Sequence, residues 1–520
     1  MRSARGVFEK GAGPERPARP HPIHQLTPLR AGRSDAGIMV DVRPIAYLIG
    51  RMLIVLAILM LAPAFIDHRA GLENGGDFLE SAILTGSIGA LLSMATANAL
   101  RHGLDIRQAY LLTASIWLGL PLFACLPFML GAPGLSFTDA YFEAVSGITT
   151  TGSTVIVGLD SLPQGMNLWR GMLNWIGGLG IAFIAMIFLP IMRVGGMQFF
   201  RTEGFDTLGK ALPRATDIAR ALLSVYAGLT VVCIATYGAL GMSTLDAIVN
   251  GAATIATGGF SPSDVSFGKY PGAPEYAGAV FMLLSSLPYI RYVQMVSGRS
   301  APLLQDPQVR AIFVWTLTAV AMVTLWRVAT SEMAVEPAFR ETLFNLSSIL
   351  TGTGFFSGTF PTWGSFALAV AFMAGLIGGC SGSSSGALSV FRVQLAARAI
   401  GAQIAAIHHP DRVVTIRYAG RPVETETISA LMLYVTGYIL TIGVLSVVMQ
   451  LLGVDTVSAL FGIWTSLGNI GYGFGPMVEA TGTFRDFPDS AKWVMTLAML
   501  LGRLGLLAIF VLVLPRFWRR

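Results

Sequence analysis

The chain has 520 residues, of which 53% are hydrophobic and 12% charged, with a mean hydropathy of +0.65. Soluble proteins carry about 25% charged residues, so the composition excludes a soluble or wholly disordered protein. The formal charge of +6 suggests an acidic partner until it is located: residues 1–38 hold seven Lys/Arg against three acids, which is +4 of the total. Nothing in this pattern points to nucleic acid.

Residues 1–38 are rich in Pro, Arg, Gly and His and have no apolar period. They cannot bury enough surface to offset ordering entropy and read as a disordered basic leader. Translation starting at Met39 is a second reading, because the chain runs from there straight into the first apolar stretch. Crossing about 30 Å of hydrocarbon takes about 20 apolar residues. Stretches of that kind run over 45–66, 79–99, 109–130, 168–192, 221–241, 277–296, 311–328, 366–397, 428–452 and 491–514, predicting ten transmembrane helices. With both termini in the cytoplasm, the inner segments carry 17 Lys/Arg and 8 acids and the outer segments 7 and 17. The Lys/Arg bias sets that orientation.

Between spans three and four, five and six, seven and eight, and nine and ten lie four shorter apolar pieces, 137–149, 244–254, 338–350 and 456–467. A dozen residues at 1.5 Å each reach about 18 Å, too short to cross. Each is predicted to dip into the membrane and return. Helix-start residues precede them at Ser243/Thr244, Glu336/Pro337 and Asp455/Thr456, and less neatly at Ser136/Asp139. After each comes a Gly/Thr-rich turn, aligned on Gly152, Gly258, Gly354 and Gly471. The candidate ion-filter residues are Thr150, Thr151, Gly152, Thr257, Gly258, Thr353, Gly354, Asn469, Ile470 and Gly471. Non-helical backbone at membrane depth is tolerated where it lines a water-filled cavity. Helix C-termini aimed there favour a cation, and carbonyls and Thr hydroxyls can replace its hydration shell. The fold class is therefore an all-α membrane protein: ten transmembrane helices plus four re-entrant pore helices, in four pseudo-symmetric span-pore-span repeats around a central ion pathway.

The eighth span is interrupted by Gly378-Gly379-Cys380-Ser381-Gly382-Ser383-Ser384-Ser385-Gly386. At up to about 1 kcal/mol per Gly relative to Ala, this is no helix interior. Arg503 lies within the last span, where a charge is costly unless it faces the protein interior and meets carbonyls or water. Arg51 and Arg291 read as interfacial, and Glu143 as part of an acidic outer vestibule. Gly204 to Ala211 comes within one residue of a phosphate-binding loop but puts Ala211 where magnesium needs a hydroxyl. Cys125, Cys233 and Cys380 are far apart and form no disulfide framework. The histidines lack ligand spacing, so no resident metal or covalently bound cofactor is expected.

The four loops, together with Trp175-Ile176-Gly177-Gly178-Leu179-Gly180, Val194-Gly195-Gly196-Met197-Gln198 and Gly378-Gly379-Cys380-Ser381-Gly382, resemble the Trk/Ktr/HKT potassium transporter superfamily, TrkH type, from Met39 onward. The resemblance implies a bacterial inner-membrane pore subunit for potassium uptake, generally a homodimer, regulated by a cytosolic TrkA-type protein that holds the nucleotide. It makes 39–105 an extra two-helix domain, with pore repeats at 106–217, 218–306, 307–425 and 426–520. It also implies that the loop at 378–386 obstructs the pore, with Gly378, Gly379, Cys380, Ser381, Gly382, Gly386 and Arg503 forming the gate. Ala387-Leu388-Ser389 departs from the family's usual Gly-Gly-Ile-Lys-like continuation, and Gly505 stands where an acid is common. A symporter coupled to protons or sodium is the near alternative and a polytopic membrane enzyme the remote one. Potassium is then the substrate, and the protein itself is not an enzyme.

Overall fold

The computed structural model describes residues 41–99, 105–183, 215–298, 300–331, 333–409, 415–505 and 514. The leader, the segment Val194–Gln198 and the near phosphate-binding loop at Gly204–Ala211 lie outside the described residues, as do the later parts of the spans expected at 168–192 and 491–514.

The protein is built almost entirely of helices. Seven of those described are long and apolar enough to cross a membrane, or eight if one bent pair is taken as a single span. Their outward faces carry exposed Leu, Ile, Val and Met, as at Leu91, Met94, Leu325, Leu440 and Val447. Such a surface suits hydrocarbon and would not be tolerated in water. Helices Arg43–Arg69 and Asn74–Ala95 pack along each other, and the first also meets Gln164–Phe183.

Two spans depart from the simple reading. The stretch 277–296 is not one helix: Ala273–Ser285 and Tyr289–Val296 meet at 89°. The cause is Pro288, which has no N–H to continue the helix, and the freed groups are taken up elsewhere. Ser286 O accepts from Cys380 N at 3.0 Å and Tyr289 N donates to Gly382 O at 3.0 Å. The span at 366–397 is broken as expected, into Ser365–Ile377 and Val390–His408, with non-helical backbone between. Its second half runs eleven residues beyond the expected end. A two-stranded hairpin also departs from all-α: Arg417 pairs with Pro422 and Tyr418 with Arg421, around Ala419 and Gly420, both at positive φ. Its Tyr418 is buried against Phe391.

The four short helices are Phe137–Ile148, Thr244–Ala256, Val335–Thr351 and Thr456–Gly468. Ser136 caps the first by accepting from Asp139 N at 3.2 Å, and Ser243 caps the second from Asp246 N at 3.1 Å. Asp455 caps the fourth through Val457 N and Ser458 N. The third begins earlier than the sequence suggests, after Ala334, with no side-chain cap. Each short helix is buried along most of its C-terminal half, which fixes where the chain leaving it must go.

Candidate ion pathway

Each short helix ends the same way. A residue just past the helix turns left-handed, the second one at Thr150 (φ 51°) and the first at Thr257 (52°), Gly352 (69°) and Asn469 (51°). The next, Thr151, Gly258, Thr353 or Ile470, is absent from the positive-φ set, and then a glycine is left-handed again: Gly152 (85°), Gly259 (70°), Gly354 (85°) and Gly471 (91°). The glycine matching Gly152, Gly354 and Gly471 is thus Gly259, one residue later than the sequence alignment on Gly258. In the second loop two glycines follow one another, and the Thr-Gly spelling picks the first. Thr257 already occupies the left-handed slot after the helix, which moves the register by one.

The middle residues turn their N–H groups back to the helix ends. Thr151 N donates to Ser146 O at 2.8 Å, Gly258 N to Ala253 O at 2.8 Å, Thr353 N to Ser348 O at 2.8 Å and Ile470 N to Thr465 O at 2.9 Å. This closes the helix C-terminus in the manner of a Schellman turn. The carbonyls of those same residues face the adjoining loops. A β-carbon on Gly152 would strike Gly258 O, on Gly259 Thr353 O, on Gly354 Ile470 O, and on Gly471 Thr151 O. Each loop touches the next, and the fourth returns to the first. Glycine is required at all four positions twice over, by the left-handed φ and by the neighbour's carbonyl.

Around this closed ring the loops are braced by side chains, of which Asn174 and Arg170 were not singled out from the sequence. Asn174 Nδ2 donates to Gly147 O at 2.9 Å while its Oδ1 accepts from Phe260 N at 3.1 Å. Arg170 donates to Glu143 at 2.9 Å and to Ser261 O at 2.8 Å and stacks over Phe260. Glu143 is fully buried. It is no vestibule acid but the anchor of Thr154 Oγ1 and Val155 N. The available signal was spacing: Arg170 and Asn174 are four residues apart, on one face of an apolar helix. Asn469 Nδ2 ties the fourth loop to the first through Thr151 Oγ1 at 2.9 Å.

On one side of the ring a cavity of about 540 Å³ is lined by Gly152, Gly259, Gly354 and Gly471. On the other stands the broken span. Ser384 Oγ bonds Thr257 Oγ1 at 3.3 Å and Ile255 O at 3.3 Å. A β-carbon on Gly386 would strike Gly468 O, and one on Gly352 would lie 3.6 Å from Gly386 N. Arg503, 9% exposed, links this loop to the first loop of the ring: it donates to Ser384 O at 2.9 Å and to Thr150 O at 3.3 Å, and also to Thr149 O and Thr150 Oγ1. It donates to carbonyls and a hydroxyl, the environment that makes a deep Arg tolerable. Ser381 N donates to the Gln308 side chain, and Val390 N to Gly379 O. Gly378 backs directly onto Gly386. A cavity of about 80 Å³, lined by Cys380, Gly382, Arg392 and Arg503 among others, lies against the loop.

The remaining embedded charges behave differently. Arg291 pairs with Asp306 at 2.8 Å, and Arg51 is exposed on its helix. Among the described residues no group of three or more His, Cys, Asp or Glu is placed to hold a metal.

Residues 75–520 match the profile of TrkH, described as a cation transport protein. The chain belongs to the TrkH family. It is 37% identical over 484 residues to the Trk system potassium uptake protein TrkI of Halomonas elongata, covering 92% of this chain and 97% of that one. It is 33% identical over 490 residues to the Trk system potassium uptake protein TrkH of Escherichia coli K12, covering 92% and 99%. Its fold matches the crystal structure of the potassium transporter TrkH from Vibrio parahaemolyticus with a TM-score of 0.84 at 31% identity, covering 92% of this chain and all of the other. This is a family of membrane transporters, not of enzymes, and the ring lies in the matched region.

Proposed function

We propose that this chain is the potassium-conducting subunit of a Trk-type uptake system in a bacterial inner membrane. The observation that carries the reading is the closed ring of four loops, in which each glycine packs against the next loop's carbonyl. Four helix C-termini converge on the ring, so the field there favours a cation. Backbone carbonyls and the Thr151, Thr257 and Thr353 hydroxyls offer oxygen to an ion that has shed water. Ten spans and four half-crossings, with both termini cytoplasmic, complete the reading. The acidic outer segments then draw cations to the 540 Å³ vestibule.

The loop at 378–386 serves as the gate. It stands against the second, third and fourth filter loops, and Arg503 fastens it to the first. Opening requires the loop to leave Thr257, Gly352 and Gly468 and Arg503 to give up Ser384 or the first filter loop. A cytosolic nucleotide-binding partner of TrkA type drives that step, and the chain works as a homodimer. Transport is passive: a potential of about 150 mV supplies roughly 3.5 kcal/mol per charge, enough to hold a gradient of several hundredfold.

The test is flux through purified protein in liposomes under opposed potassium, sodium and proton gradients. The reading expects reversal potentials that track potassium. A reversal that tracks the proton gradient overturns it in favour of a symporter. Rescue of a potassium-uptake-deficient bacterium at low potassium provides the cellular check.

A further inference from the structure

The ring repeats four times, but the support behind it does not. Counting from the matched glycines, the residue nine positions earlier, inside the short helix, is Glu143, Asn250, Asn345 or Gly462. The residue three positions later, on the strand leaving the loop, is Val155, Pro262, Ser357 or Phe474. In the first loop Val155 N donates to Glu143 Oε2 at 3.1 Å. In the third, Ser357 N donates to Asn345 Oδ1 at 3.1 Å and Asn345 Nδ2 returns a bond to Ser357 O at 2.9 Å.

The second loop has the acceptor but not the donor. Asn250 is buried, and its Oδ1 has no hydrogen-bond partner. The matching residue is Pro262, which has no N–H. In the fourth loop Gly462 offers no side chain. The second loop is instead hung from the preceding repeat, through Asn174 to Phe260 N and Arg170 to Ser261 O. The fourth is tied to the first through Asn469 and through Phe484 N, which donates to Thr154 O at 2.9 Å. Because the contacts run first to second to third to fourth and back, the two loops anchored to their own helices face each other across the ring.

Building on the potassium-filter reading above, we propose that Glu143 and Asn345 are positioning residues for ion selection, holding an opposed pair of loops at fixed radius while the second and fourth loops form the compliant pair. A filter that yields around a smaller ion loses discrimination. Anchors that fix the strand just past the ring resist that yielding, as supporting hydrogen bonds do for any precise site.

The experiment measures potassium over sodium permeability from reversal potentials in liposomes holding the full chain, with potassium and sodium as the only probes. Asn345→Ala and Asn250→Ala make the same change at matched buried positions. Ser357→Pro deletes the amide donor together with the hydroxyl that donates to Glu275 and gives the third loop the residue that the second loop has naturally, so Ser357→Ala, which loses the hydroxyl alone, is its reference. The expected result is a fall of about tenfold in potassium preference for Asn345→Ala and Ser357→Pro, with conduction retained, and a change within about twofold for Asn250→Ala. Equal shifts at 345 and 250, or an unchanged preference in Ser357→Pro, overturn the proposal. If Asn345→Ala fails to assemble, Ser357→Pro against Asn250→Ala decides it. A wild-type chain that does not prefer potassium overturns the functional reading itself, which separates the two failures.

Discussion

The glycine ring and the loop at 378–389 are both non-helical backbone inside the molecule, and both are rich in residues at positive φ, yet they are held differently. In the ring, the N–H of each middle residue returns to its own helix end, and the second left-handed slot is always glycine. In the loop at 378–389, local bonds such as Ser389 N to Ile377 O and Val390 N to Gly379 O are joined by bonds from distant elements: Ser286 O, the Gln308 side chain, Tyr289 N and Arg503. Two left-handed residues just before the helix starting at Val390 are not glycine, namely Ala387 (φ 61°) and Ser389 (φ 77°). Such residues cost about 1–2 kcal/mol each in that conformation. Local closure makes a fixed structure. A strained segment held by borrowed bonds is one whose position depends on where its partners are.

The sharpest way to break this contrast is at the ring glycines. Gly259→Ala and Gly354→Ala each drive a β-carbon into a carbonyl and strain φ, and should abolish rescue of an uptake-deficient strain. Gly258→Ala leaves φ unstrained but presses on the buried Asn174 amide and should lose less uptake than Gly259→Ala, so equal loss at 258 and 259 would undo the revised register. Next in size is Arg503→Ala. It removes charge-assisted bonds worth about 1.5–3 kcal/mol each. On the proposed gating, tracer uptake into liposomes holding the chain alone should rise about tenfold or more. Ala387→Gly relieves about 1 kcal/mol in the obstructing conformation and should lower the same flux about fivefold. A rise instead would mean that the strain belongs to the open state.

The smallest effect lies in the outer loop. Burial works to lower the Lys269 pKa, but Asp246, with help from Tyr270 and Asp160, outweighs it and holds the ammonium above its ordinary value. That contribution is complete below the ordinary lysine range and is lost as pH rises through the raised value. Lys269→Gln should therefore leave flux at neutral pH within about twofold, since a half-exposed pair is worth little. Any difference in thermal stability from wild type should vanish in strongly alkaline buffer.

Much of the site was legible because a repeat leaves its marks four times. Four short apolar pieces, each followed by Gly and Thr, predict four loops, and the structure joins them into one ring. The one-residue slip at Gly258 shows the limit of spelling: only φ distinguishes two adjacent glycines. The bend at Pro288 was hidden because 277–296 is uniformly apolar, so hydropathy cannot see a helix whose broken bonds are satisfied by a loop about 90 residues away. Glu143 was misplaced for a similar reason. A carboxylate near an acidic outer face reads as solvated unless its partner, Arg170, is known to be buried beside it. The leader and the loop at Gly204–Ala211 lie outside the described residues.

The direction of the ring contacts has a consequence for how the protein is made. Each loop offers a glycine to the loop ahead and a carbonyl to the loop behind, so no pair of repeats completes anything. The joint between Asn469 and Thr151 spans 318 residues, and until the last repeat is inserted the first has nothing to close against. A chain stopped before Gly471 should therefore have no pathway at all, rather than three quarters of one, and the membrane is spared a partly formed leak throughout synthesis.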